Sequence, residues 1–243
     1  MENFEILNTS REILGIENKQ NIIIPEYFKD DNKIYHITGI GHDAFSENYT
    51  LESIRLPNSI ESISYNAFYK CKNLKIINIP KNLKQIKRNA FRDCKKIKSI
   101  SLPEEMNMIL AYVFFCCHEL RTIKLPKKCK YIGEGAFSNC LSLEEVILPE
   151  DMPICKTFLF SCCKSLKKQT IPENVKVIEE SVFCNCKNLE EIILPYNLEK
   201  IGKFAIKNCP NLKKITWKGK IYTRKDEFNK DIKRISNNNI TWV

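Results

Sequence analysis

Apolar positions along this chain fall into rows that keep one step. Ile/Leu-Pro dipeptides place Pro57, Pro80, Pro103, Pro126, Pro149, Pro172 and Pro195 at intervals of 23 residues. Phe45, Phe68, Phe91, Phe114, Phe137, Phe160 and Phe183 keep the same interval, and Ile206 continues them. So do Cys71, Cys94, Cys117, Cys140, Cys163, Cys186 and Cys209. A further row runs Leu51, Leu74, Ile97, Leu120, Leu143, Leu166, Leu189 and Leu212. Rows in register at a fixed step are the signature of stacked repeats.

One unit reads Leu74-x-x-Ile77-x-Ile79-Pro80-x-x-Leu83-x-x-Ile86-x-x-x-Ala90-Phe91-x-x-Cys94. Alternation over Ile77 and Ile79 predicts a short strand. Pro80 ends it, because proline has no N–H for a ladder. Leu83 and Ile86 turn inward on the opposite wall, and Ala90 to Cys94 predicts a helical turn. No unit can bury its apolar face alone, so neighbours stack. The expected fold is a leucine-rich-repeat solenoid, α/β or mainly β. It is a right-handed coil of about eight rungs at about 4.7–4.9 Å spacing, with one parallel sheet, roughly 35–40 Å long.

Both ends depart from the unit in ways that suit caps. Ile22-Ile-Ile-Pro25 predicts a strand before the first rung, and Lys29 to Lys33 a hairpin insertion whose Asp-Asp-Asn suits the turn. At the far end Ile215 and Trp217 form the last strand, and Lys218-Gly219-Lys220 turns into Ile221-Tyr222. Thr223 with Asp226 predicts a helix start. Phe228, Ile232 and Ile235 follow at helical spacing, and Ile240–Val243 reads as a closing strand. The division expected is one domain, 1–243, with an N-terminal cap 1–39, repeats 40–217 and a C-terminal cap 218–243.

The unit Leu-x-x-Ile-x-Leu-Pro…Ile-x-x-x-Ala-Phe-x-x-Cys resembles the BspA-like class of leucine-rich repeats over about residues 22–217. That class occurs in surface and secreted proteins of bacteria and some protozoa. The resemblance implies adhesion and protein binding, and a cell-surface or secreted location. The residues themselves point elsewhere. Met1 to Leu7 has no basic segment leading into a long apolar run, so no secretory signal is expected and a cytoplasmic location is the default. A monomer without a membrane span is expected.

Charge and cysteine content narrow the chemistry. The net charge is +10, and the stretch from Lys70 to Lys98 alone carries that excess. Seven of the twelve cysteines occupy the repeat row as small buried hydrophobes, and Cys129 and Cys155 replace core aliphatics. Cys116, Cys162 and Cys184 remain, without spacing for zinc. His36, His42 and His118 sit in no recognisable catalytic arrangement. Gly41, Gly133 and Gly202 share a repeat position and read as turn residues, not as a phosphate loop. No catalytic residue, metal site or cofactor is expected, and the chain is not expected to be an enzyme.

Outward positions of the strands carry the functional expectation: a protein–protein interaction or adhesion scaffold that binds through its strand face. The candidates are Arg55, Lys75, Asn78, Lys98, Arg121, Lys124, Glu144, Ile147, Thr170 and Ile193. Ile147 and Ile193 read as exposed aliphatics two rungs apart, as suits a protein partner. The alternative is a polyanion, nucleic acid or an anionic surface, held by Lys81, Lys84, Lys87, Arg88, Arg92, Lys95 and Lys96. One residue breaks the inward pattern. Gln169 stands in the row of Ile77, Ile100, Ile123, Val146 and Ile192. An unpaired buried amide is costly, so either it finds backbone partners or this rung is distorted, and leucine there is expected to stabilise the fold.

Overall fold

A computed structural model of the chain describes residues 19–30, 33–233 and 235, and before them two backbone stretches, Glu5–Leu7 and Glu12–Gly15. Each repeat makes one rung with three sides. On the front, Asn21–Ile23 pairs in parallel with Ser53–Arg55, and that strand with Ile76–Ile77. Ser99–Ser101 pairs with Thr122–Lys124, and Lys168–Thr170, Glu191–Ile193 and Lys214–Trp217 form a further run. The register is one repeat throughout: Ile54 faces Ile77, Ile100 faces Ile123, and Ile192 faces Ile215.

The opposite wall also consists of short parallel strands, an addition to the single sheet expected. Gly39–Ile40, Ser62–Ile63 and Gln85–Ile86 pair in order, followed by Met108–Ile109 with Tyr131–Ile132. Ile154–Cys155, Val177–Ile178 and Lys200–Ile201 complete it. In every pair the inward residue belongs to the row of Ile86, so the row that closes the core also sets the ladder.

The third side differs more from expectation. The Ala-Phe-x-x-Cys segment is not a helical turn. It is a run of tight turns with two left-handed residues four apart, such as Asn66 with Lys70 and Asn89 with Asp93. This geometry frees alternate N–H groups to bond to the next rung. Phe68 N–H donates to Ala90 at 2.8 Å and Phe91 N–H to Val113 at 3.0 Å. Asparagine tolerates the left-handed region best after glycine. Gly135 meets a second demand there: a Cβ on it would lie 2.5 Å from the Tyr112 ring. Gly133 opens the turn, its C=O accepting the Ala136 N–H at 3.3 Å, but conformational freedom is not what it supplies. Its φ is not left-handed, and a Cβ on it would come within 2.5 Å of the Ala111 backbone nitrogen.

The seven phenylalanines form one buried column. Successive rings stack at 5.2–5.9 Å, and Phe68 lies within 1° of parallel to Phe91. The cysteine row joins it: each thiol donates to the carbonyl of the phenylalanine one rung back, as Cys94 Sγ does to Phe68 at 3.1 Å and Cys117 to Phe91 at 3.2 Å. Phe68 C=O also accepts the Cys71 N–H at 3.1 Å.

The front ladder is broken twice, each time at a polar side chain. Past Ile77 the Asn78 amide turns back, taking the Leu56 N–H on Oδ1 and donating Nδ2 to Leu56 C=O, both at 2.8 Å. Past Lys124 only an isolated bridge, Thr122 with Glu145, reaches the next rung. Across the following gap Gln169, 2% exposed, donates Nε2 to Val146 C=O at 2.9 Å and to Thr170 C=O at 2.8 Å. Its Oε1 has no partner.

The caps take up the ends. Tyr27–Asp30 and Lys33–His36 form the expected antiparallel hairpin, with Phe28 stacked on Tyr35. Glu12–Gly15 extends the back wall in parallel, with Glu5–Leu7 antiparallel outside it. Lys214–Trp217 turns into Lys220–Tyr222, and helix α1 (Lys225–Ile232) follows, burying Phe228 and Ile232. The residue capping α1 is Arg224, one later than expected, and makes no side-chain cap bond. Ile235 C=O accepts the Ile201 N–H, tying the helix end to the last back strand. The expected closing strand, Ile240–Val243, lies outside the described residues.

Two stability predictions follow from this packing. Phe91→Ala removes a fully buried ring from mid-column and should cost about 3–5 kcal/mol. Chemical denaturation measures it, and a loss under about 1 kcal/mol would contradict the stacked column. For Gln169→Leu the structure reverses the sign read from sequence. The substitution relieves one unmet oxygen but leaves two carbonyls without their donor. It should lower stability by about 1 kcal/mol, roughly 2–4 °C in Tm for a chain of this size. A rise in Tm would mean that an apolar side chain lets the ladder close.

Candidate binding face

The strands of the front present two outward rows, because side chains alternate across a strand. Arg55, Asn78, Ser101, Lys124, Ile147, Thr170 and Ile193 stand in one of them. Lys75, Lys98, Arg121 and Glu144 stand in the row just before the strands. Of the ten residues predicted for this face all are exposed except Ile193, which is half-buried between its neighbours. Ile147 is 81% exposed. The face is not uniformly available, however. Asn78 is engaged with Leu56. Lys75 is held by Glu52 at 2.9 Å, and Lys124 by Glu104 at 2.8 Å.

Two exposed aliphatics of this face escaped the sequence reading. Ile23 is 65% exposed and Ile76 67%. The signal for Ile76 was available, since its slot holds Ser53, Ser99 and Thr122 in neighbouring rungs. Each aliphatic site borders a cleft. Ile23, Ile76, Arg55 and Asn78 line one of about 790 Å³. Ile147, Thr122, Lys124, Leu125 and Pro149 line another of about 930 Å³. Each cleft also borders an interruption in the ladder, where strands no longer lie flush.

The basic stretch does not form one patch. Because the chain circles the core every repeat, residues 70 to 98 are spread over all sides of the coil. Lys98 lies on the front, and Lys84 on the loop leading into the back wall, paired with Glu61 at 2.7 Å. Lys70 is paired with Glu47 at 2.7 Å. Arg88 covers the Tyr112 ring at 5.0 Å, and Arg92 lies 4.7 Å from the Phe115 centroid and 5.8 Å from Tyr69. Lys81 is exposed, while Lys87, Lys95 and Lys96 are half-buried.

The ion pairs follow the repeat. Lys70–Glu47, Lys75–Glu52, Lys84–Glu61, Lys213–Glu190 and Lys214–Glu191 each join adjacent rungs one repeat apart. Hydrogen bonds from Lys70, Lys75 and Lys213 hold Glu47, Glu52 and Glu190 below the ordinary carboxylate value.

Nine of the twelve cysteines are buried, and all twelve are free thiols. Burial pushes the Cys71, Cys155 and Cys209 thiols up to about 12 and Cys116 up to about 11. Partial burial pushes the His118 pKa down. Among the described residues, no three His, Cys, Asp or Glu side chains gather in a metal-binding group.

The sequence pattern of the BspA-type leucine-rich-repeat region matches residues 21–129 and 108–236, in six copies. This chain belongs to the BspA-type leucine-rich-repeat family. The family is one of binding and structural repeat proteins. A leucine-rich-repeat protein from Bacteroides ovatus superposes with a TM-score of 0.82 at 32% identity, over 87% of this chain and 56% of that one. This BspA-type chain thus spans a little over half the length of that relative. A leucine-rich-repeat protein from T. pallidum superposes with a TM-score of 0.66 at 25% identity, over 77% of this chain and 87% of that one. No curated protein gives a significant sequence match. Among the described residues no helix is long and apolar enough to cross a membrane.

The burial of the thiols predicts their reactivity. In the native protein at mildly alkaline pH, a soluble thiol reagent should label no more than three sites in its fast phase, the half-buried Cys116, Cys162 and Cys184. The nine others should wait for unfolding. Mass spectrometry of the labelled peptides decides it, and fast modification of Cys94 or Cys140 would contradict the packing described.

Proposed function

We propose that this BspA-type chain is a non-enzymatic scaffold that binds a protein partner, in solution or in adhesion, along its front face. One observation carries the reading: Ile23, Ile76 and Ile147 stand exposed in slots that serine, threonine, asparagine or a charged residue fills elsewhere. Water-facing aliphatics beside clefts are what a protein partner covers, with a polar rim around them. Arg55, Lys98, Arg121, Glu144 and Thr170 supply that rim, with Ile193 half-buried at its far end.

Polyanion binding at the basic stretch is a second reading. The column in which Arg92 lies between Tyr69 and Phe115 supports it, since stacked guanidinium and aromatic planes suit phosphate-bearing or sulfated chains. The ion pairs that occupy Lys70, Lys75 and Lys84 count against it.

Selection of a displayed peptide library on the folded chain separates the two. Binders should lose affinity about tenfold or more, a change of about 1.4 kcal/mol, on Ile147→Glu or Ile76→Glu. Lys130→Glu and Lys200→Glu, on the opposite side, should leave them unchanged. Binders insensitive to both front substitutions would overturn the reading. Ligands that are uniformly acidic and released steeply by salt would favour the basic stretch instead.

A further inference from the structure

The front face is not electrically neutral around Ile147. Glu145, Glu150 and Asp151 line a cleft with it, Glu144 stands three residues before it, and all four are exposed. Among the described residues none of these four forms an ion pair, although most other front-face glutamates are held by a lysine one repeat away. For Glu145 the lysine at that spacing is turned elsewhere. Lys168 stands one repeat after Glu145, yet it pairs with Glu191 on the far side at 3.0 Å. Glu145 is therefore left without that partner, on a chain whose net charge is +10.

The space beside them is shaped. Glu145, Ile147, Leu148 and Glu150 line the cleft of about 930 Å³ on one side and a smaller one of about 180 Å³ on the other. Leu125, Pro126 and Pro149 add apolar wall to the larger, which Lys127 and the Glu104-paired Lys124 also line. Gln169 belongs to the wall of the smaller cleft, and its Oε1 is buried without a hydrogen-bond donor.

An exposed aliphatic and a rim with more carboxylates than lysines together define the chemistry of an occupant. Carboxylates outnumber the lysines of that rim, which disfavours nucleic acid and anionic lipid. The carboxylates are not gathered closely enough to form a metal group. We propose that this cleft receives an extended basic segment of a protein partner. An aliphatic side chain of that segment packs on Ile147. Lysines or arginines on either side of it meet Glu144, Glu145, Glu150 and Asp151. Alternate side chains of an extended chain point the same way, about 6.6–6.8 Å apart, which places cations on both sides of a central aliphatic. The proposal rests on the front-face reading and specifies its partner.

The test uses a dye-labelled, end-capped synthetic peptide with one isoleucine between two lysines, each separated from it by one serine. Its companions carry glutamates for the lysines, or glycine for the isoleucine. Fluorescence anisotropy on the full chain should show binding of the lysine peptide, weakened by salt, and at least tenfold weaker binding of both companions. The double variant Glu145→Lys/Glu150→Lys should lose the lysine peptide by at least tenfold, and Ile147→Ser by a comparable factor. Glu199→Lys, which alters a carboxylate paired with Lys176 elsewhere, should change little. All of these positions are exposed, and unchanged thermal melts confirm intact folds. Equal binding of the lysine and glutamate peptides, no binding of either, or indifference to the double variant would overturn the proposal. If library binders are still lost on Ile147→Glu while the lysine peptide fails, the front-face reading stands and the basic segment falls.

Discussion

The molecule is organised by the phenylalanine–cysteine column. Each phenylalanine spends its ring on the rings above and below, its N–H on the carbonyl of the next rung, and its C=O on a cysteine from that rung. All three contacts require the same residue one repeat later. A rung one residue longer or shorter would move its ring out of the column and its thiol away from the carbonyl. The column therefore imposes the 23-residue step. Everything outside inherits it: strand register on two walls, lysine–glutamate pairs at one-repeat spacing, and the tight turns that bring the rings together.

The magnitudes rank these contributions. A buried aromatic pair is worth about 0.5–1.5 kcal/mol beyond the area it buries, and each ring is also a large apolar surface withdrawn from water. The exposed ion pairs contribute about 0–1 kcal/mol each. They are ordered by the column and do little to create it. Cysteine suits its row for a specific reason. The Phe68 carbonyl already accepts the Cys71 N–H, so its second partner need only be a weak donor that is cheap to bury. Serine would bring a stronger donor and a hydroxyl that costs more to desolvate; alanine would leave the second position unfilled. Burial then keeps the row protonated, with Cys71 raised to about 12.

What was legible in the sequence was membership of a row. Phe91, Cys94, Leu83 and Ile86 are buried where the period puts them, the hairpin at Tyr27–His36 occupies the predicted insertion, and Phe228 and Ile232 seal the far end. Row membership does not say where a side chain turns once it is placed. Nothing in the period distinguishes a helical turn from paired left-handed residues at Asn89 and Asp93, because both bring Phe91 inward. Nor does it say that Lys168 leans toward Glu191 and away from Glu145, or that residues 70 to 98, contiguous in the chain, separate onto different sides once the coil closes. Gln169 shows the limit most clearly. Its polarity in an apolar row was visible, but whether it was unpaired or bridging depended on two carbonyls exposed by a gap that the sequence does not mark.

That gap links stability to the proposed function. A closed parallel ladder satisfies its own backbone and presents a flat row of small polar side chains, as at Ser99, Ser101 and Thr122. Where Asn78 and Gln169 intrude, their amides take over backbone partners, the strands part, and a cleft opens next to an aliphatic that water would otherwise disfavour. Both intrusions weaken a regular fold locally, and the neighbouring column rungs are strong enough to hold them. Departures from a local rule that the rest of the structure sustains tend to mark functional positions. Ile76 and Ile147 each stand beside one such departure, and four carboxylates without an ion pair stand near the second. On this argument the specificity of the face resides in its irregular rungs, and the regular ones serve to hold those rungs at a fixed distance from each other.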